Sequence, residues 1–224
     1  MAHRTSKLFL FDIDGTLLRK AGPAHRIALE QAAAKLAGRP ITSDGIDTGG
    51  MLDRDILRLM LSQAGVAEKK IAQWMPAIVL EAQRIYPSLC PDLRHRLAPG
   101  MRAFLHRLDR ARIPRGLVTG NLSRIGWHKM TRAGIRPHFT FGAFAEMGKS
   151  RTELVAKALK QAPPHSQPYL IGDHLNDIRA AKENNIPIIS VATGPLTREQ
   201  LAPFSPDYLL DSIAHLPEEV WTQP

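Results

Sequence analysis

The sequence predicts an α/β fold built on a parallel sheet, with an all-helical insertion directly after the first strand. Three observations carry this reading. Short apolar runs recur along the chain, and segments with helical periodicity alternate with them. One stretch, from about residue 23 to about residue 97, carries helical patterns and no strand.

The first run, Lys7–Phe11 (KLFLF), ends abruptly at Asp12 and reads as a buried strand. Similar runs follow at Arg115–Thr119, Phe139–Phe144, Pro168–Gly172 and Pro187–Val191, and the DYLLD segment Asp207–Asp211 adds an edge strand. Between them, Met101–Arg112 gathers Phe104, Leu105 and Leu108 on one helical face. Leu122–Ala133, Thr152–Gln161 and Ile178–Asn184 behave alike. Strands alternating with helices imply βαβ units, hence a parallel sheet covered on both faces. In the insertion, Ala24–Leu36 is rich in Ala and Leu, Asp53–Ala64 carries Ile56, Leu57, Met60 and Leu61, and Ile71–Tyr86 continues the pattern. Pro87, Pro91 and the Pro99–Gly100 pair punctuate its end. The chain thus divides into residues 1–20 and 99–224 for the sheet and 21–98 for a small helical domain facing the sheet's carboxyl edge.

A chain of 224 residues, 44% of them hydrophobic, holds enough apolar side chain for a sizeable core. No apolar run approaches the roughly 18 residues of a membrane-spanning helix, so no membrane association is expected. The start, MAHRTSK, is polar and basic, and the LFLF that follows is too short for a signal peptide. Cys90 is the sole cysteine, which excludes an internal disulfide and a cysteine-based zinc site. A cytoplasmic protein is expected. The formal charge of +9 suits an acidic ligand. Its arginines, among them Arg94, Arg96, Arg102, Arg107, Arg110, Arg112 and Arg115, are dispersed, and aromatics are only 6% of the chain. A small phosphorylated molecule is therefore expected as the partner, in preference to nucleic acid.

The chemistry gathers at strand ends. In Asp12-Ile13-Asp14-Gly15-Thr16 the two aspartates are two residues apart, on one side of an extended segment, so their carboxylates converge. Ligands of open α/β sheets bind at the strands' carboxyl ends. Two like charges this close require a cation or a shared proton, and a hard divalent ion such as Mg²⁺ meets that need. Gly172-Asp173-His174-Leu175-Asn176-Asp177 adds two more carboxylates, Asp173 and Asp177, the latter also placed to cap a helix. Thr119-Gly120-Asn121 ends another strand, where a hydroxyl and the amides freed at a helix start form an anion site. Lys149 or Arg151, just before a helix, supplies the positive charge that a phosphoryl group among carboxylates needs. Gly148-Lys149-Ser150 is not a nucleotide-binding loop, because Ala143 stands where G-x-x-x-x-G-K-[ST] requires glycine. Neither G-x-G-x-x-G after a strand nor H-E-x-x-H is present.

In this order, LFLFDIDGTLL (Leu8–Leu18), LVTGN (Leu117–Asn121), Lys149 and IGDHLNDIRAA (Ile171–Ala181) resemble the haloacid dehalogenase-like hydrolase superfamily, in particular its phosphoglycolate phosphatase-like branch. The resemblance implies a Rossmann-like core with an inserted helical cap of the type placed between the first and second motifs. It implies a Mg²⁺-dependent phosphatase acting on a small phosphorylated metabolite through an aspartyl-phosphate. Asp12 then resembles the nucleophile and Asp14 the acid/base, Thr119 and Gly120 the phosphate-binding motif, and Asp173 with Asp177 the metal carboxylates. The backbone carbonyl of Asp14 would be a further ligand. Lys149 fits the basic residue by spacing, with Arg151 as its substitute. Asp14 is absent from the dehalogenases that name the superfamily, which argues against carbon–halogen cleavage. Gly50-Met51-Leu52-Asp53-Arg54 sits where this branch carries a G-x-x-D substrate loop, so Arg54 could meet a substrate anion, while Asp53 could equally be a helix cap. Phosphotransfer, phosphomutase chemistry and hydrolysis of nucleic-acid end phosphates are the alternatives on the same fold.

Overall fold

The computed structural model describes residues 6–222. The polar start at residues 1–5 lies outside the described residues. The strands are β1 (Lys7–Phe11), β2 (Arg115–Val118), β3 (Phe141–Ala143), β4 (Gln167–Gly172), β5 (Ile188–Val191) and β6 (Tyr208–Leu210). They form one six-stranded parallel sheet in the order β3-β2-β1-β4-β5-β6. This is the doubly wound order in which the chain moves one way from β1 and returns to the other side at β4. The β1/β4 junction is therefore the topological switch point. Phe11 lies opposite Leu117 of β2 and Ile171 of β4, so Asp12, Thr119 and Asp173 leave the sheet close together.

The helices are α1 (Ala24–Ala37), α2 (Asp53–Gln63), α3 (Glu68–Leu89), α4 (Met101–Arg110), α5 (Ser123–Arg132), α6 (Arg151–Gln161), α7 (Leu175–Glu183), α8 (Arg198–Leu201) and α9 (Glu218–Trp221). Phe104, Leu105 and Leu108 of α4 are buried as their spacing requires. Phe104 meets Phe9 edge-on at 5.6 Å between ring centroids, and Phe139 meets Phe11 likewise at 5.7 Å. Between β1 and β2, helices α1, α2 and α3 pack on one another, and α3 reaches α5. No helix of the described residues is long and apolar enough to cross a membrane.

Several element boundaries differ from the sequence expectation, two of them for reasons visible in the packing and capping. Pro87 does not end its helix: α3 runs through Pro76 and Pro87 to Leu89. Each proline removes one backbone bond, but the buried stripe of Ile71, Met75, Ile78, Ala82 and Tyr86 spans both. Helix α7 starts at Leu175 instead of Ile178, because His174 and Asp177 cap it reciprocally. The Asn176 N–H donates to His174 Nδ1 at 3.2 Å, and the His174 N–H donates to Asp177 Oδ2 at 3.2 Å.

Candidate active site

A cavity of about 480 Å³ opens at the carboxyl edge of β1, β2 and β4, under the loop between α1 and α2. Asp12, Asp14, Thr119, Gly120, Asn121, Arg151 and Asp173 line it. Asp12 is held by its N–H to the Ile171 carbonyl at 3.0 Å. Asp173 accepts the Thr16 hydroxyl at 2.8 Å. Gly15 has φ +91°, and a Cβ there would collide with the Asp173 carboxylate. Glycine is thus required both for the turn and for the approach of the two motifs.

Arg151 is the buried cation of this cluster. Its Nη1 donates to Asp12 Oδ1 at 2.8 Å and to the Val118 carbonyl at 3.1 Å, and its Nε lies 3.3 Å from Asp177 Oδ1. Burial alone would weaken the guanidinium's hold on its proton, but Asp177 and Asp12 more than offset this and raise its pKa. Burial pushes the Asp12 carboxyl up to about 7, with Arg151 opposing and Asp177 and Asp14 adding to the rise. Asp173 is raised well above the ordinary carboxylate range, by burial first and then by Asp12 and Asp177.

Asp14 lives in a different electrostatic setting. Its Oδ2 accepts from Asn121 Nδ2 at 2.8 Å and from Lys129 Nζ at 2.6 Å. Partial burial pushes this carboxyl up, but Lys129 and its other partners outweigh it and leave it below its ordinary value. The two aspartates of one motif are thereby driven in opposite directions.

The Thr119 hydroxyl accepts from Asn121 Nδ2 at 2.8 Å. Gly120 has no room for a side chain, since a Cβ would strike the Met51 carbonyl of the α1–α2 loop. The expected amide cluster at the start of α5 is largely taken by the protein itself. The Leu122 N–H donates to Asp53, the Ser123 N–H to Glu146 and the Arg124 N–H to Gln83. Helix-start donors are satisfied by whichever carboxylate or amide packs against them, so the anion site narrows to the Thr119–Gly120 end.

Lys149 and Arg54 are not in this cavity. Both line a second one of about 670 Å³ between α2, α3 and the segment before α6. Ser150 caps α6 by accepting the Glu153 N–H, which makes Arg151 the first helical residue. Arg151, Leu154, Val155 and Ala158 then form the stripe buried against the sheet, and Lys149 falls outside the helix with an exposed side chain. Arg54 follows Asp53, the residue that turns inward. Asp53 is buried and accepts from Leu122, while its N–H donates to the Gly120 carbonyl.

Lys129 and His25 are site residues that motif reasoning missed, whereas Asp53 was reached as the aspartate of the G-x-x-D loop or a helix cap. One signal for Lys129 was present: it lies four residues after Ile125 and next to Met130, inside the apolar stripe of its helix.

The residues present fit a hard divalent cation. Ligand oxygens of Asp12, Asp173 and Asp177 lie within 4.8 Å of one another, and all three side chains are buried. Asp177 Oδ1 has no hydrogen bond of its own. One guanidinium leaves three clustered carboxylates undercompensated, and an all-oxygen donor set is what Mg²⁺ prefers. The Asp14 side chain is turned instead toward Lys129 and Asn121.

A doubly wound sheet with an acidic cluster at its switch point defines an α/β enzyme with a ligand site at the strand ends. The haloacid dehalogenase-like hydrolase family matches residues 6–185, and the chain belongs to that family of hydrolases. Its relatives include the phosphoglycolate phosphatase of Vibrio parahaemolyticus serotype O3:K6, 25% identical over 228 residues and 98% covered on both sides. CbbY from Rhodobacter sphaeroides, solved in complex with phosphate, is similar in structure, with TM-score 0.71 and 24% identity over 95% of this chain and 96% of that one. The β-phosphoglucomutase from Clostridium difficile has TM-score 0.67 and 20% identity, over 96% of this chain and 95% of that one.

Proposed function

We propose that this hydrolase is a phosphatase that removes the phosphoryl group of a small phosphomonoester, with Asp12 as nucleophile and Asp14 as acid/base. The observation that carries the reading is Arg151 on Asp12 at 2.8 Å beside the Asp173–Asp177 pair. A nucleophilic carboxylate needs a counter-charge there to receive a phosphoryl group. The step needs Asp12 ionised and Asp14 protonated, the reverse of the bias that burial and Lys129 impose at rest. An Asp12 Oδ then attacks phosphorus in line while Asp14 gives its proton to the departing ester oxygen, leaving an alcohol and an aspartyl-phosphate. Asp14 then takes a proton from a water whose oxygen attacks the same phosphorus, freeing phosphate and restoring Asp12. Asp12, Asp173 and Asp177 would hold Mg²⁺, with the Asp14 carbonyl as a further ligand; when bound it neutralises charge on the transferring group. Thr119 and the Gly120 amide would hold the phosphoryl oxygens, with Asn121 bracing Thr119.

The segment 21–98 acts as a cap over the core formed by 1–20 and 99–224, excluding water from the reaction. The names of the Vibrio relatives support a phosphoglycolate-like substrate. The buried single thiol of Cys90 agrees with a cytoplasmic setting. A phosphate-release screen over small phosphomonoesters, with and without Mg²⁺, tests the proposal beside Asp12→Asn. Release that requires Mg²⁺ and disappears in the variant is expected. Full turnover in Asp12→Asn would remove the nucleophile.

A further inference from the structure

Lys129 is 99% buried, since its side chain keeps only 1% of its surface. A buried ammonium persists only when paired and hydrogen-bonded. Its partners come from separate elements. Nζ donates to Asp14 Oδ2 at 2.6 Å and lies 3.1 Å from Nδ1 of His25 on α1. An ammonium can only donate, so Nδ1 accepts and the His25 proton sits on Nε2. That Nε2 lies 2.9 Å from Oδ2 of Asp53 at the start of α2 and donates to it. Tyr86 of α3 meets the His25 ring edge-on at 5.9 Å. All three inserted helices therefore meet at His25, and His25 reaches the lysine that touches Asp14.

The direction of the chain matters for chemistry. Lys129 and Asn121 both bond Oδ2 of Asp14. Neither bond takes Oδ1, and Asp14 lines the cavity. We propose that Lys129 is a positioning residue that fixes the Asp14 carboxylate with Oδ1 toward the leaving group. His25 and Asp53 make that orientation depend on the inserted helices being seated. This rests on Asp14 being the acid/base. It adds a mechanism by which a closed cap completes the site, since lifting α1 and α2 removes His25 and leaves Lys129 with one anchor fewer.

The test is turnover of a series of substituted phenyl phosphates, plotted against leaving-group acidity at saturating Mg²⁺. A good leaving group needs no proton, a poor one does. In the wild type the dependence is shallow, and in Asp14→Asn it is steep. Lys129→Met is expected to reproduce the steep dependence with KM little changed, and Lys129→Arg to restore most of the shallow one. Within the Asp14→Asn background, Lys129→Met should lower kcat by less than about twofold, because coupled residues are non-additive. A uniform fall in kcat with unchanged slope would mean Lys129 is merely structural and would overturn the proposal. If Lys129→Met does not fold, His25→Gln gives the same reading from the other end, with an intermediate slope expected and a wild-type slope overturning it. A wild type that releases no phosphate, or Asp14→Asn with a wild-type slope, removes the phosphatase reading itself and this inference with it.

Discussion

Two cavities flank the inserted helices, and they treat their charges in opposite ways. At the first, the lining residues Asp12, Asp173 and Arg151 and their neighbours Asp177 and Lys129 are almost entirely buried, and all but Asp173 stand in an ion pair. In the second, Lys149, Arg54, Arg58 and Glu68 ring an apolar floor of Ile71, Met75 and Val79, and Arg58 and Glu68 remain well exposed. Buried ions alter one another's protonation and can do chemistry, whereas exposed ones are screened by water. Basic residues alone therefore do not mark the site; desolvated pairing does.

Replacing charges in the first cavity should have the largest effects. Asp12→Asn is expected to abolish phosphate release, and Asp14→Asn to lower kcat by about 10²–10⁴-fold on poor leaving groups. Arg151→Met should lower kcat by at least about 10²-fold. It should also destabilise the metal-free protein by about 3–5 kcal/mol in denaturant titrations, because it leaves buried carboxylates unpaired. Lys149→Met and Arg54→Met, measured in parallel, should stay within about twofold of wild-type kcat, as expected for exposed charges. A Lys149 effect as large as that of Arg151 would erase the distinction between the cavities.

Metal linkage gives the next effect. The Asp12 carboxyl is pushed up from 3.8 to about 7. Between those values the folded chain holds a proton that the unfolded chain has lost, so this group's contribution to stability falls as pH rises through that window. A cation at Asp12, Asp173 and Asp177 competes with these protons. Added Mg²⁺ should therefore raise the melting temperature more at pH 8 than at pH 5, with about 2.7 kcal/mol expected at a hundredfold excess over Kd. In Asp173→Asn most of that rise should vanish, as read by thermal denaturation with and without Mg²⁺.

The sheet and both aspartate motifs were legible because they are local: a short apolar run ending in a carboxylate is visible without its neighbours. The choice between Lys149 and Arg151 was not, since it depends on which residue Ser150 leaves as the first of α6 and which face then meets the sheet. The Lys129–His25–Asp53 chain was further from view. Its members are separated by 104 and 28 positions, and only the packing of α1 and α2 on α3, and of α3 on α5, brings them together. Lysine in the apolar stripe of Ser123–Arg132 was the one local hint, a conflict between pattern and residue type of the sort that functional sites tolerate.

The smallest expected effect bears on the second cavity alone. Arg58 Nε lies 3.0 Å from Glu68 Oε2, with side chains 60% and 59% exposed. Geometrically this pair resembles Arg151 with Asp12, at 3.0 Å against 2.8 Å. Contact distance would rank them alike, but solvent does not. Arg58→Ala should change stability by less than about 1 kcal/mol, and the change should shrink further in high salt. Activity should be unaffected, because Arg58 contacts neither cavity-one carboxylate nor Lys129 chain. A loss approaching that of Arg151→Met would mean that contact geometry, not burial, ranks ion pairs in this fold. Equal salt sensitivity of the two variants would point the same way, since a pair buried beneath the strand ends is screened far less than one standing in water.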